Sequence, residues 1–117
     1  MTGGENGMDC LFCKIIEGSI PCTKVYEDDR VFAFRDINPQ AKVHILLTPK
    51  KHMRNILECD AETAAALTAA IANVAAQEGL TENGFRVISN CGKHGCQSVD
   101  HLHVHLVGGE QLSEKMS

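Results

Sequence analysis

The sequence lacks three features that would each indicate a particular class of protein. It has no apolar run of about 18 residues, which excludes a membrane-spanning helix. Its first seven residues are polar and glycine-rich, with no apolar segment, so we predict a flexible tail at 1–9 and a cytoplasmic protein. Its formal net charge is −4, without the excess of basic residues that a dedicated nucleic-acid surface needs. We therefore expect neither a membrane nor a nucleic acid as partner.

The composition indicates one globular domain. The chain has 117 residues, of which 44% are hydrophobic, and this is enough for a true core. It contains no internal repeat and no linker. We therefore predict a single domain at 10–117.

The cysteines raise the question of metal or redox chemistry. There are six, and without an export signal their thiols are expected to be reduced. Cys10 and Cys13 have the Cys-x-x-Cys spacing of metal sites and of redox motifs. Redox motifs of this type lie in a βαβ unit, which the sequence does not predict. Cys22 and Cys59 belong to no motif and are predicted to be small buried hydrophobic residues.

The hydrophobic periodicity predicts an α+β fold, with five strands and one long helix covering one face of the sheet. The helix is predicted at 61–77, where Asp60 can cap its first turn and Gly79 can end it. The predicted strands are 23–29, 31–35, 42–48, 84–90 and 99–107.

The last predicted strand carries three alternating histidines. Successive side chains on a strand point to opposite faces, so His101, His103 and His105 should form a row on one face. Leu102, Val104 and Leu106 would face a core. A row of imidazoles can supply a nucleophile, acid–base groups or metal ligands.

A glycine-containing loop precedes this row. Gly92 and Gly95 allow a tight turn whose main-chain N–H groups can approach an anion, and Gln97 and Ser98 add side-chain donors. An imidazole nucleophile beside anion-binding donors suits attack on phosphorus.

With these motifs, the sequence resembles the histidine triad family and, within it, the zinc-bearing members of the Hint branch. The family signature is His-x-His-x-His followed by two apolar residues, which is met by 101–107. Further segments look like that branch, in the same order and spacing over 10–109: 12–21, 25–29, 33–41 and 49–52. The resemblance implies a five-stranded antiparallel sheet with one main helix and a short N-terminal helix. It also implies a homodimer whose sheets join into one.

The resemblance implies a nucleotide-binding hydrolase that cleaves purine nucleoside phosphoramidates through a covalent nucleotidyl-histidine. His103 would be the nucleophile, with His105 and Ser98 as further catalytic groups, and no metal would take part in the chemistry. The substrate would be a purine nucleotide such as AMP or adenosine phosphoramidate. The implied substrate-binding residues are Phe12, Ile15, Phe34, Asp36, Ile37, Asn90, Gln97, Ser98, His103 and His105. For each apolar residue of this set, taken without the resemblance, an ordinary core position is the better interpretation.

The resemblance also implies one structural zinc ion per chain. Its ligands would be Cys10, Cys13, His52 and His101, a Cys₂His₂ set suited to tetrahedral zinc. The alternative is two reduced thiols and a surface histidine. His44 is either hydrogen-bonded behind the row or a satisfied core histidine.

Two departures and two alternatives stay open. Relatives often have glycine where this chain has Cys96, and 111–117 has no tryptophan, whereas some relatives place an aromatic tail near the leaving group. The chain can instead be a nucleotide sensor or scaffold with vestigial turnover. A third possibility makes the histidine row itself a catalytic metal site.

Overall fold

The computed structural model describes residues 10–115 and confirms the α+β architecture. Its elements are α1 (Leu11–Glu17), β1 (Lys24–Glu27), β2 (Val31–Arg35), β3 (Val43–Pro49), a short 3₁₀ helix (Ile56–Glu58), α2 (Ala61–Gln77), β4 (Phe85–Ile88) and β5 (Val104–Gly108). The strands form one antiparallel sheet in the order β1-β2-β3-β5-β4. The predicted tail at 1–9 lies outside the described residues.

The sheet is covered on both faces. On one face α2 packs through Leu67, Ala70 and Val74 against β2 and β3, as predicted. On the other face α1 packs Phe12 and Ile15 against a second apolar cluster, whose sheet residues are Phe32, Phe34 and Leu46. This second layer places α1 beside the histidines.

Both predicted ends of α2 are confirmed. Asp60 caps its N-terminus by accepting a hydrogen bond from the Thr63 N–H at 2.7 Å. Gly79 follows with φ +73°, a left-handed conformation that glycine adopts readily. In residues 10–115 no helix is long and apolar enough to cross a membrane.

The final strand is shorter than the sequence predicts, because β5 begins at Val104 rather than at residue 99. Its neighbour β3 ends at Pro49, which has no N–H to continue the ladder. Beyond that point two isolated hydrogen bonds replace the regular pairing of β3 with β5. The Thr48 hydroxyl donates to the Leu102 carbonyl, and the Leu102 N–H donates to the Met53 carbonyl. Only His105 of the three histidines therefore lies within a strand.

The predicted alternation nevertheless holds. Leu102 and Leu106 lie in the core under α2, and Val104 is also buried. His105 is paired across the sheet with Leu46 and Ile88, which places its side chain on the face that α1 covers.

The prediction was wrong for Cys22 and is met only in part by Cys59. Cys22 is exposed, in the segment between α1 and β1. Cys59 follows the 3₁₀ helix and is partly buried, packed against the core cluster under α2.

Candidate active site and metal centre

Four potential zinc ligands converge beside α1. Cys10 precedes α1 and Cys13 lies in its first turn, so one helix start positions both sulfurs. His52 comes from the loop after β3, and His101 comes from the segment before β5. One donor atom from each residue lies within 4.8 Å of those of the other three. The structure thus brings together the whole predicted set.

Hydrogen bonding directs one nitrogen of His101 at the sulfurs. His101 Nε2 lies 2.9 Å from the Pro49 carbonyl oxygen, so this nitrogen carries the proton and donates it. Nδ1 is left with its lone pair, 3.2 Å from Cys10 Sγ and 3.5 Å from Cys13 Sγ. His52 Nδ1 lies 3.3 Å from Cys13 Sγ. The donor set and its spacing fit a zinc ion.

The pKa values of the cysteine and histidine side chains show which charged forms a bound cation would stabilise. Burial, followed by the hydrogen bond and charge of Cys10, raises the pKa of the Cys13 thiol to about 12. Burial lowers the pKa of His101 to about 4, against the opposing effect of its bond to Pro49. His52 Nε2 is buried and has no hydrogen-bond partner among the described residues. Zinc would stabilise thiolates at a place where they are otherwise unfavourable.

The histidines form a continuous series of ring contacts across the face that α1 covers. His52 packs edge-to-face on His101, with centroids 4.9 Å apart, and Phe12 contacts both His101 and His103. His103 in turn contacts His105, at 5.1 Å. The row therefore runs from the cysteine cluster to the sheet.

His103 has a fixed tautomer. Its Nδ1 lies 2.7 Å from the His101 carbonyl oxygen, and since a carbonyl can only accept, Nδ1 carries the proton. Its Nε2 consequently has a free lone pair. Burial lowers the pKa of His103, which favours the neutral ring. A neutral imidazole with an unused lone pair is the form required of a nucleophile.

His105 receives the opposite tautomer through His44. The main-chain N–H of Gln40 donates to His44 Nδ1 at 3.0 Å, so His44 carries its proton on Nε2. That nitrogen lies 2.9 Å from His105 Nδ1, which accepts. His105 is thus left with a proton on Nε2. Burial and then the neighbouring His103 and His44 lower its pKa to about 4, so the ring is neutral near pH 7.

The same bonds argue against a metal ion at the second cluster of ligands. Asp36, His44 and His105 lie close enough together to hold one. His44, however, would have to bind a metal through Nε2 and move its proton to Nδ1, where the Gln40 N–H already donates. We therefore interpret this cluster as a chain of hydrogen bonds. His103 belongs to neither candidate cluster of residues 10–115, which argues against a metal site built from the row.

A cavity of about 560 Å³ opens against this chain of bonds. His44 and His105 lie at its floor, and Asn90 and Cys96 border it from the glycine loop. The C-terminal segment supplies Leu112 and Ser113, and the Arg86 guanidinium holds that segment by donating to the Ser113 carbonyl at 2.6 Å. No sequence signal had pointed to Arg86 or to these two tail residues.

The loop residues have different surroundings. Ser98 is exposed. The Gln97 side chain instead holds the loop together: it accepts from the Gly92 N–H and donates to the Arg54 and Val99 carbonyls. Cys96 occupies a left-handed conformation with φ +59°, which is uncommon for a residue other than glycine.

The residues predicted to bind the nucleoside differ in how exposed they are. Phe12, Ile15 and Phe34 are buried and pack together as core, whereas Ile37 is 90% exposed. Asp36 lies next to Ile37 and keeps one oxygen 3.4 Å from His44 Nε2. Its charge also acts on His103 and His105, raising the pKa of each against the larger effect of burial. The carboxylate therefore faces the histidine row.

Comparison with known proteins agrees with this architecture. A family model for the HIT domain matches residues 17–112. A 14 kDa zinc-binding protein of Brassica juncea is 50% identical over 110 residues, covering 90% of this chain and 96% of that protein. The purine nucleoside phosphoramidase of Escherichia coli strain K12 is 44% identical over 112 residues, covering 93% of this chain and 94% of that protein. The solved structure of a HIT family hydrolase from Clostridium thermocellum has a TM-score of 0.90 at 43% identity, and the match covers 94% of this chain and 98% of that one. The chain belongs to the HIT, or histidine triad, family.

Proposed function

We propose that this chain is a nucleotide-binding hydrolase that cleaves purine nucleoside phosphoramidates, with His103 as the nucleophile. The observation that carries the proposal is the pair of opposite tautomers in the row. His103 has a free lone pair on Nε2, and His105 beside it has a proton on Nε2. A nucleophile next to a proton donor is the arrangement that a two-step displacement needs.

In the first step the lone pair of His103 Nε2 attacks the α-phosphorus. A phosphorus–nitrogen bond forms to His103, and the bond from phosphorus to the leaving amine breaks. The amine takes up a proton from solvent as it departs, while His105 and Ser98 stabilise the phosphoryl oxygens with their N–H and O–H donors. Water then attacks the phosphorus of the nucleotidyl-histidine and the bond from phosphorus to His103 breaks. The nucleoside monophosphate and neutral His103 are released, and the proton lost by the water returns to solvent.

The nucleoside would extend from the row toward Asp36. An ionised carboxylate can accept hydrogen bonds from both ribose hydroxyls. Asn90 borders the cavity between the loop and the row, which suits contact with ribose and phosphate. Ile37 is exposed beside Asp36 and so is available to contact the base, whereas Phe12, Ile15 and Phe34 belong to the core on the face that α1 covers.

We propose a structural role for zinc at Cys10, Cys13, His52 and His101. Bound zinc would tie the start of α1 to the segment that carries His103, and it would supply no chemistry to the displacement. Reduced thiols suit a cytoplasmic location, which we include in the proposal.

We also propose a homodimer formed through β4. This strand lies at the edge of the sheet and pairs only with β5 among the described strands, so its outer N–H and C=O groups are available to another strand. Phe85 and Val87 of β4 are 39% and 44% exposed. A second copy that pairs β4 with β4 would continue the sheet and cover these side chains.

The test is hydrolysis of adenosine phosphoramidate, compared with diadenosine polyphosphates, followed by rapid-quench mass spectrometry. We expect release of AMP from the phosphoramidate and a transient adenylyl adduct on the peptide containing His103. Tight AMP binding without turnover would favour the sensor or scaffold instead. An adduct on another residue would overturn the assigned nucleophile.

A further inference from the structure

A single N–H group of His44 lies between two acceptors that belong to different parts of the site. Its Nε2 is 2.9 Å from His105 Nδ1 and 3.4 Å from Asp36 Oδ2. The proton is fixed on Nε2 because the Gln40 N–H already donates to Nδ1. His44 is buried, whereas Asp36 is partly exposed and open to a ligand.

One proton cannot make two full hydrogen bonds, so Asp36 and His105 compete for it. An ionised carboxylate is the stronger acceptor, since charge-assisted hydrogen bonds are stronger than neutral ones. Its other oxygen, Oδ1, accepts from the Asn38 N–H, which leaves Oδ2 as the oxygen that faces His44. In the structure the N–H donates to His105 at 2.9 Å and the contact with Asp36 is longer, at 3.4 Å, so a carboxylate without a ligand weakens the bond to His105 but does not replace it.

We propose that Asp36 and His44 couple recognition of the ribose hydroxyls to the proton-donating state of His105. This inference rests on the proposed function. When the hydroxyls donate to Asp36, its oxygens are satisfied and the His44 N–H turns fully to His105 Nδ1. His105 then keeps its proton on Nε2, directed at the reacting phosphoryl group. His44 acts through His105 and is therefore a positioning residue.

The coupling has a kinetic signature that simple ribose binding lacks. If the hydroxyls contributed only binding, a substrate without them would bind more weakly and react at the same rate once saturated. If they also release the His44 proton, the saturated rate falls as well. One neutral hydrogen bond is at stake, which corresponds to roughly a threefold to tenfold change in rate.

The experiment compares adenosine 5′-phosphoramidate with its 2′,3′-dideoxy analogue in single turnovers at saturating enzyme. For the wild type we expect the analogue to need a higher enzyme concentration for half-saturation and to react about threefold to tenfold more slowly at saturation. In Asp36→Asn the competing carboxylate is gone, so the saturated rates on the two substrates should become equal. In His94→Ala, at an exposed loop residue outside this chain of bonds, the wild-type difference in saturated rate should remain.

The tautomer itself provides a readout that is independent of turnover. Nitrogen-15 spectra of the imidazole rings should show His105 protonated only on Nε2 with AMP bound, and a mixture of tautomers with 2′,3′-dideoxy-AMP bound. His44→Phe should remove the difference between the two ligands, with thermal unfolding used to check that the variant is folded.

The outcomes separate the two proposals. A wild type that turns over neither substrate overturns the proposed function and the coupling with it. Turnover with equal saturated rates on both substrates, or identical His105 spectra with both ligands, overturns the coupling alone. Persistence of the rate difference in Asp36→Asn would do the same.

Discussion

The Nδ1–H of His103 donates to the carbonyl oxygen of His101, two residues earlier in the chain, at 2.7 Å. The same His101 directs its own ring at the two cysteines. The residue that we assign to zinc therefore supplies the main-chain atom that orients the nucleophile. Structural and chemical roles meet in one short segment, and this relationship underlies the first two predictions.

His103→Ala and His103→Asn should both lose nearly all turnover of adenosine phosphoramidate, because neither side chain can form the covalent bond to phosphorus. Nucleotide affinity should stay close to that of the wild type, since Asp36 and Asn90 remain. Steady-state kinetics and calorimetric titration with AMP measure the two quantities. His94→Ala, in the exposed part of the loop, is the matched control and should behave as wild type. Retained turnover in His103→Ala would refute the mechanism.

Native protein purified without chelator should contain about one zinc ion per chain by elemental analysis. Replacing Cys10 and Cys13 together by serine should remove the metal and lower the unfolding temperature, because metal bound only to the folded state adds to its stability. Turnover should fall too, since His101 would no longer be held. Cys22→Ser, at an exposed thiol, should change none of these. Metal-free native protein of unchanged stability would rule out the zinc assignment.

The sequence was informative where local chemistry decides the structure. Asp60 is a good N-cap and Gly79 a good helix terminator in isolation, so both ends of α2 could be read directly. The alternation of His101 to Leu106 likewise survives, because it reflects which side chains can be buried under α2.

What the sequence could not show depends on contacts between distant segments. The start of β5 is set by Pro49 on a neighbouring strand, some 50 residues away. The tautomer of His105 is set by the main-chain N–H of Gln40, a group that every residue except proline possesses. Such groups leave no pattern in a sequence, and only the folded chain brings them to the imidazole rings.

Asp28→Ala should destabilise the hairpin between β1 and β2. Asp28 accepts hydrogen bonds from the Tyr26 hydroxyl and from the N–H groups of Arg30 and Val31, at 2.7 to 2.8 Å. The expected loss at pH 7 is about 1–2 kcal/mol in the free energy of unfolding, measured by urea denaturation. Asp29→Ala, at the adjacent exposed carboxylate, should cost much less.

This loss should depend on pH in a defined direction. Burial raises the pKa of Asp28, but the bonds from Tyr26, Arg30 and Val31 lower it more, so its pKa lies below the ordinary value. A lowered pKa means that the carboxylate stabilises the fold above the unfolded pKa of about 4 and loses this effect as the pH falls through the folded pKa. The difference between wild type and Asp28→Ala should therefore shrink toward pH 3. A difference that grows on acidification would contradict the assignment.

Val87→Lys should convert the proposed dimer into a monomer. Val87 is 44% exposed on the edge strand β4, on the sheet face that carries α2, whose main contacts are with β1 to β3. A lysine there would place a charge in the interface that β4 pairing creates, where its desolvation is costly. Light scattering should give twice the chain mass for the wild type and the single-chain mass for the variant. Leu57→Lys is the control, because Leu57 is an even more exposed apolar residue, at 84%, on a different part of the surface. If Leu57→Lys dissociates the protein and Val87→Lys does not, the interface lies elsewhere; a wild type that is monomeric at micromolar concentration would remove the dimer from the proposal.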